Sequence, residues 1–134
     1  MNNVLNLFKA LSDKNRLRVV YTLTQYEELS ACQIIELLQV TGATVSRHLS
    51  ILINSGLVEN RKEGRWVYFK LRNMNEDDDF QQIIDWIKKN ISKTIDAESD
   101  IQKVKKIIAW DLEELCRKQR GEKCCPSKDK KILK

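Results

Sequence analysis

Four cysteines and one patterned segment carry the chemistry open to this chain. The cysteines are Cys32, Cys116, Cys124 and Cys125. Thiolates bind soft metals and metalloids, exchange with disulfides and attack as nucleophiles. The patterned segment is residues 41–58. As a helix it places Val45, Leu49, Leu52 and Ile53 at i, i+4, i+7 and i+8, one buried stripe. Thr44, Ser46, Arg47, His48 and Ser50 lie mostly off that stripe, short hydroxyls plus a fork of donors near the N-terminal end. Thr41 can cap that end, and Gly56 is a natural stop. A helix with an apolar back and a hydrogen-bonding, mildly basic front fits a DNA major groove. The same pattern also describes an ordinary core helix with a polar outside.

The elements around this segment decide between the two. Val4, Leu5, Phe8 and Leu11 make a short first helix, and Ser12-Asp13 can cap a second in which Leu17, Val20 and Tyr21 face inward. Residues 27–30 are a break. Ser30 can cap a third helix bearing Ile34, Ile35, Leu37 and Leu38, and residues 39–42 form a tight link into the patterned helix. Two short helices across such a link, the second with a polar front, form a helix-turn-helix. From Leu57 to Leu71 the period becomes strand-like around Lys62-Glu63-Gly64, which predicts a hairpin. Its tip carries Arg61, Lys62 and Arg65. On an isolated hairpin these residues would simply keep the surface soluble. Directly behind a helix-turn-helix they suit a wing that touches phosphates.

Beyond residue 72 the chain changes character. Residues 73–79 are an acidic linker and helix entry. Phe80, Ile84, Ile87, Ile91 and Ile95 then keep a 3/4 spacing, as do Ile101, Val104, Ile108, Leu112 and Leu115. Two long helices with such stripes exceed what a small winged domain can cover. The expected use of the surplus is a homodimer interface to which the first helix contributes, against a longer monomeric bundle as the alternative. The expected class is therefore mainly α: four helices, a β-hairpin and two terminal helices. Residues 1–118 would form the winged DNA-binding and dimerisation domain, and residues 119–134 a flexible cysteine-containing tail.

Composition agrees with a globular chain of 134 residues, 32% charged and 42% hydrophobic. Residues 1–72 carry net +4, residues 73–100 net −5 and residues 101–134 net +6. A basic N-terminal body suits a polyanion, whereas the acidic middle belongs away from a DNA face. No apolar run approaches the ~20 residues of a membrane span, and the start is not a secretory signal, so a cytoplasmic location without membrane contact is expected. In a reducing compartment the cysteines are expected to be ligands, redox thiols or buried filler ahead of structural disulfides.

Three stretches resemble the ArsR/SmtB family of winged-helix repressors. They are residues 7–18 (Leu7 through Leu11-Ser12-Asp13 to Arg18), residues 44–52 with Gly56-Leu57-Val58, and residues 61–71. The resemblance covers about residues 4–72 and implies a homodimer that leaves double-stranded operator DNA when an inducer binds. It implies no enzyme activity and no catalytic cofactor. By resemblance Thr44, Ser46, Arg47 and His48 become DNA-reading positions. Gly42 stands where members often carry Gln, which leaves operator preference open.

The family's sensors differ in their ligands. A His-rich zinc site does not fit a chain whose single histidine is His48. A third-helix As(III) pattern with two cysteines is reduced here to Cys32, with Ser30 at the other position, so Cys32 is expected to be structural. Cys116, Cys124 and Cys125 remain. They resemble the As(III) site that other members place at the end of the last helix, with a vicinal pair and a third thiol. Lys118, Arg120 and Lys123 favour thiolates there. The leading expectation is a repressor released by As(III), with Sb(III) a second inducer. A thiol redox or persulfide sensor of the same fold is the alternative. A small thiol reductase using the vicinal pair belongs to another class, and no acid/base constellation or βαβ pattern supports it.

Overall fold

The computed structural model describes residues 2–72 and 79–119. Four helices come first: α1 (Asn2–Leu11), α2 (Lys14–Gln25), α3 (Ala31–Leu38) and α4 (Gly42–Asn54). The strands are β1 (Leu29–Ser30), β2 (Val58–Glu63) and β3 (Trp66–Leu71), and the chain continues through α5 (Asp79–Ile91), α6 (Ile95–Ile108) and α7 (Leu112–Gln119). This is the winged helix-turn-helix expected from the sequence, with two additions, β1 and α7.

Helices α2, α3 and α4 each begin at a side chain that accepts an otherwise unpaired backbone N–H. The Asp13 carboxylate accepts from Arg16 N at the start of α2. Ser30 and Gln33 form a reciprocal capping box on α3. Thr41 Oγ1 accepts from Thr44 N at the start of α4. Between α3 and α4, Gln39 turns the chain with a left-handed φ of 57°. The apolar stripes converge as the spacing predicts: Val45, Leu49 and Leu52 of α4 are buried with Ile34 and Leu37 of α3 and Val19 and Val20 of α2. Gly56 ends this unit at φ 87°, and a Cβ there would lie 3.2 Å from the Phe80 ring. Glycine is therefore needed both for the turn and for the close approach of α5.

The sheet is antiparallel in the order β1-β3-β2. The hairpin pairs Asn60 with Phe69 and turns at Gly64, φ 62°. The segment expected as a plain break supplies β1, where Leu29 and Ser30 pair with Phe69 and Tyr68. Two residues are too few to show a strand period, and their partner lies some forty residues away.

The C-terminal half holds three helices where two were expected. Thr94 Oγ1 accepts from Ala97 N, and Asp111 Oδ2 accepts from Glu113 N and Glu114 N. Such side-chain bonds compete with helix continuation and start new helices at α6 and α7. Ile95, counted in the α5 stripe by its spacing, instead opens α6 and is 87% exposed. α6 is fixed to the winged unit by Arg18, which grips Asp100 with two bonds of 2.9 Å and donates to the Leu37 carbonyl. Among the described residues no helix is long and apolar enough to cross a membrane. The boundary expected at residue 118 falls at the end of α7, and residues 120–134 lie outside the described residues.

Candidate nucleic-acid interface

On α4, Ala43, Ser46, Arg47 and Ser50 follow i, i+3, i+4, i+7 and are all exposed, opposite the buried stripe. Among the described residues Ser46, Arg47 and Ser50 have no side-chain bond. Their donors and acceptors face solvent. Thr44 is half-buried on one flank, its hydroxyl 2.8 Å from that of Thr41, so it contributes mainly to the cap.

His48 is placed differently from the other residues expected to read DNA. Its side chain is 12% exposed and turned toward the α1–α2 junction. There Arg16 Nη1 lies 3.1 Å from His48 Nδ1, and Asp13 Oδ2 lies 3.9 Å from Nε2. Arginine keeps its protons, so it donates and Nδ1 accepts. Arg16 also donates to the carbonyls of Ala10 and Lys9, which close α1. His48 thus fixes the reading helix against α1 and α2. The signal was present in the sequence: His48 is three residues from Val45 and four from Leu52, beside the apolar stripe.

The wing brings Arg61, Lys62 and Arg65 together around its turn, but two of them are engaged. Arg61 donates to Glu28 across 2.5 and 3.0 Å and to Glu63 across 2.7 Å, and it lies 4.7 Å from the Tyr68 ring centre. These bonds hold the Glu28 carboxyl below the usual carboxylate range. Arg65 donates to Glu113 of α7 and lies over the Trp66 ring. Lys62 is exposed and makes no ion pair among the described residues. Glu63 lies two residues from Arg61 on the same strand, but Glu28 becomes a neighbour only through β1, and Glu113 only through α7.

The thiols divide between two helices that touch. Cys32, near the start of α3, is half-buried against the core and carries a thiol rather than a disulfide. Cys116 is completely buried on α7, beside the equally buried Leu115, and α7 packs on α3. Cys124 and Cys125 lie outside the described residues, and among the described ones no three His, Cys, Asp or Glu side chains gather to hold a metal. Lys118 binds Glu36 at 2.8 Å, and Gln119 Nε2 donates to the Cys32 carbonyl at 2.7 Å. The Lys118 bond keeps Glu36 below the usual carboxylate range despite its burial.

Comparison with known proteins settles the family. The profile described as bacterial regulatory protein, arsR family, matches residues 13–60, from the cap of α2 into β2. The solved HlyU of Vibrio vulnificus is 30% identical, with a TM-score of 0.54 over 66% of this chain and 84% of that one. The chain belongs to the ArsR family. This family consists of regulators, not enzymes. Among curated relatives, the ArsR-family protein of Listeria innocua called cadmium resistance transcriptional regulatory protein CadC is 39% identical over 72 residues, 54% of this chain and 60% of that protein. The arsenical resistance operon repressor of Escherichia coli is 40% identical over 67 residues, 50% of this chain and 57% of that protein. The match thus spans about 60% of these relatives' length. The ArsR profile ends within the wing, so α5 to α7, with Cys116, lie beyond it.

Proposed function

We propose that this chain is a homodimeric, DNA-binding transcriptional repressor that leaves its operator when As(III), or Sb(III), binds Cys116, Cys124 and Cys125. The observation carrying the DNA reading is the open stripe of Ser46, Arg47 and Ser50 on α4, held in a winged helix-turn-helix of a regulatory family. In this reading Ser46, Arg47 and Ser50 contact base edges and the adjacent backbone. Thr44 caps the helix that carries them, His48 orients it, and Lys62, Arg61 and Arg65 meet phosphates. The protein would act in the cytoplasm, where the operator is.

Dimerisation is supported by an apolar face left open on α1 and α5. Phe8 is 61% exposed and Trp86 62%, with Val4 and Leu5 beside them on α1. Phe8, Leu11, Ile83, Trp86 and Ile87 line one apolar groove. A patch of this kind suits a second copy related by a two-fold axis. The doubly substituted Phe8→Asp, Trp86→Asp chain should sediment as a monomer; if it sediments like wild type, the dimer face is elsewhere.

The inducer reading rests on thiol chemistry and on the relatives' names, which speak of cadmium and arsenical resistance. Arsenous acid and three thiols form three As–S bonds and release three waters, a donor set that soft thiolate ligation favours. A second reading, redox sensing, is favoured by the vicinal pair Cys124-Cys125 with Cys116 eight residues before it. There a peroxide takes two electrons and two protons from two thiols, which leaves a disulfide and water.

Anisotropy of labelled duplex DNA, titrated in parallel with As(III), Cd(II), Zn(II) and peroxide, separates these readings. Release by As(III) in wild type, lost when positions 116, 124 and 125 are serine, is the expected result. A normal response of the triple variant would remove this site. Release by peroxide alone would favour the redox reading.

A further inference from the structure

We propose that α7 is a strap that withholds Arg65 of the wing from DNA. The inference rests on the DNA-binding reading above and adds the device that regulates it.

α7 touches the wing and the first helix of the helix-turn-helix. At its start, Glu113 takes the Arg65 guanidinium at the wing turn. At its end, Lys118 binds Glu36 and Gln119 binds the Cys32 carbonyl, both on α3, the first helix of the helix-turn-helix. Between these ends Leu115 and Cys116 are completely buried. The groove beside the contact reaches Thr41 and Gly42, where the reading helix begins.

Charge gives the contact its sign. Asp111, which caps α7, and Glu113 and Glu114 in its first turn put three carboxylates at the end that reaches the wing. With α7 docked, Arg65 is neutralised and a phosphate approaching it meets these carboxylates. With α7 lifted, Arg65 becomes one more free cation beside Lys62. Phosphate contacts dominate the salt-dependent part of DNA affinity, so each cation counts.

The hold is weak enough to be exchanged. An eight-residue helix has little stability of its own, and partly exposed ion pairs contribute little. A duplex phosphate can therefore take Arg65 from Glu113 when α7 lifts, and anything that favours docking weakens DNA binding.

The test uses the full chain, with thiols reduced, and a labelled duplex of mixed sequence, because a wing phosphate contact is independent of sequence. Glu113→Gln should bind several-fold more tightly at low salt, and its plot of log affinity against log salt should steepen by about one phosphate contact. Glu36→Gln, which loosens the other anchor, should move affinity the same way. In an Arg65→Ala background Glu113→Gln should gain nothing. Salt-dependent binding by wild type with no gain in Glu113→Gln overturns the strap alone. No binding by either protein overturns the strap together with the DNA-binding reading.

Discussion

Along α4, Ser46, Arg47 and Ser50 stand exposed without side-chain partners among the described residues, whereas both arginines of the wing are already held by carboxylates. Both regions are positioned to meet the same polyanion. α4 can do so without breaking a bond inside the protein. The wing must exchange Glu28, Glu63 or Glu113 for a phosphate, so only the difference between two ion pairs is gained. In the proposed reading α4 sets which duplex is bound, and the wing sets how firmly. It is the wing, through Glu113, that is connected to the thiol-bearing helix.

The comparison breaks most readily at Arg47. Arg47→Ala should weaken duplex binding by about 1–3 kcal/mol if the residue contacts a base edge, and should change the ranking of duplex sequences in a competition assay. A uniform loss across sequences would make it a phosphate contact instead. A smaller, sequence-independent loss is expected for Lys62→Ala, with the salt slope falling by about one, and less again for Arg61→Ala because Glu28 and Glu63 already occupy it. If Arg61→Ala costs more than Lys62→Ala in anisotropy titrations, the distinction between committed and open cations fails.

His48 sharpens the comparison from the other side. His48→Ala should lower stability in urea unfolding by about 1–3 kcal/mol, because Arg16 loses an acceptor in a half-buried position. His48→Gln, which can accept the same bond, should recover part of that stability and of DNA affinity. Equal affinity of the alanine variant and wild type would show that the helix does not need this support.

The smallest effect concerns pH. Glu36 is held below its ordinary value by Lys118, so its contribution to α7 docking is present in full above about pH 4.5 and is lost as pH falls through the lowered folded value. Amide exchange in α7 should therefore speed up selectively below that range, and Glu36→Gln should flatten the response.

Most of the fold was legible because its helices announce themselves twice, by a cap and by a stripe. Asp13, Ser30 and Thr41 each cap the helix they were expected to cap, and Val45, Leu49 and Leu52 are buried as their spacing requires. The C-terminal half was less legible. Thr94 and Asp111 interrupt a spacing that runs on across both breaks, so three helices look like two. The first helix shows the same limit of periodicity. Leu7 and Ala10 form its buried side, while Val4, Leu5 and Phe8, which also fall in register, face outward. One helix with two apolar faces cannot declare which is core and which is interface. The exposure of Ser46, Arg47 and Ser50 opposite the buried stripe was visible in the spacing. The bonds of Arg61 to Glu28 and of Arg65 to Glu113 were not, because a tertiary ion pair leaves no period in the sequence.

The central claim is that docking of α7 and binding of DNA oppose each other, and linkage makes that opposition reciprocal. Hydrogen exchange of the α7 amides, residues 112–119, measured with and without saturating duplex DNA, tests it directly. The account predicts faster exchange in α7 when DNA is bound. Protection in α7 that stays the same or rises on DNA binding would contradict it.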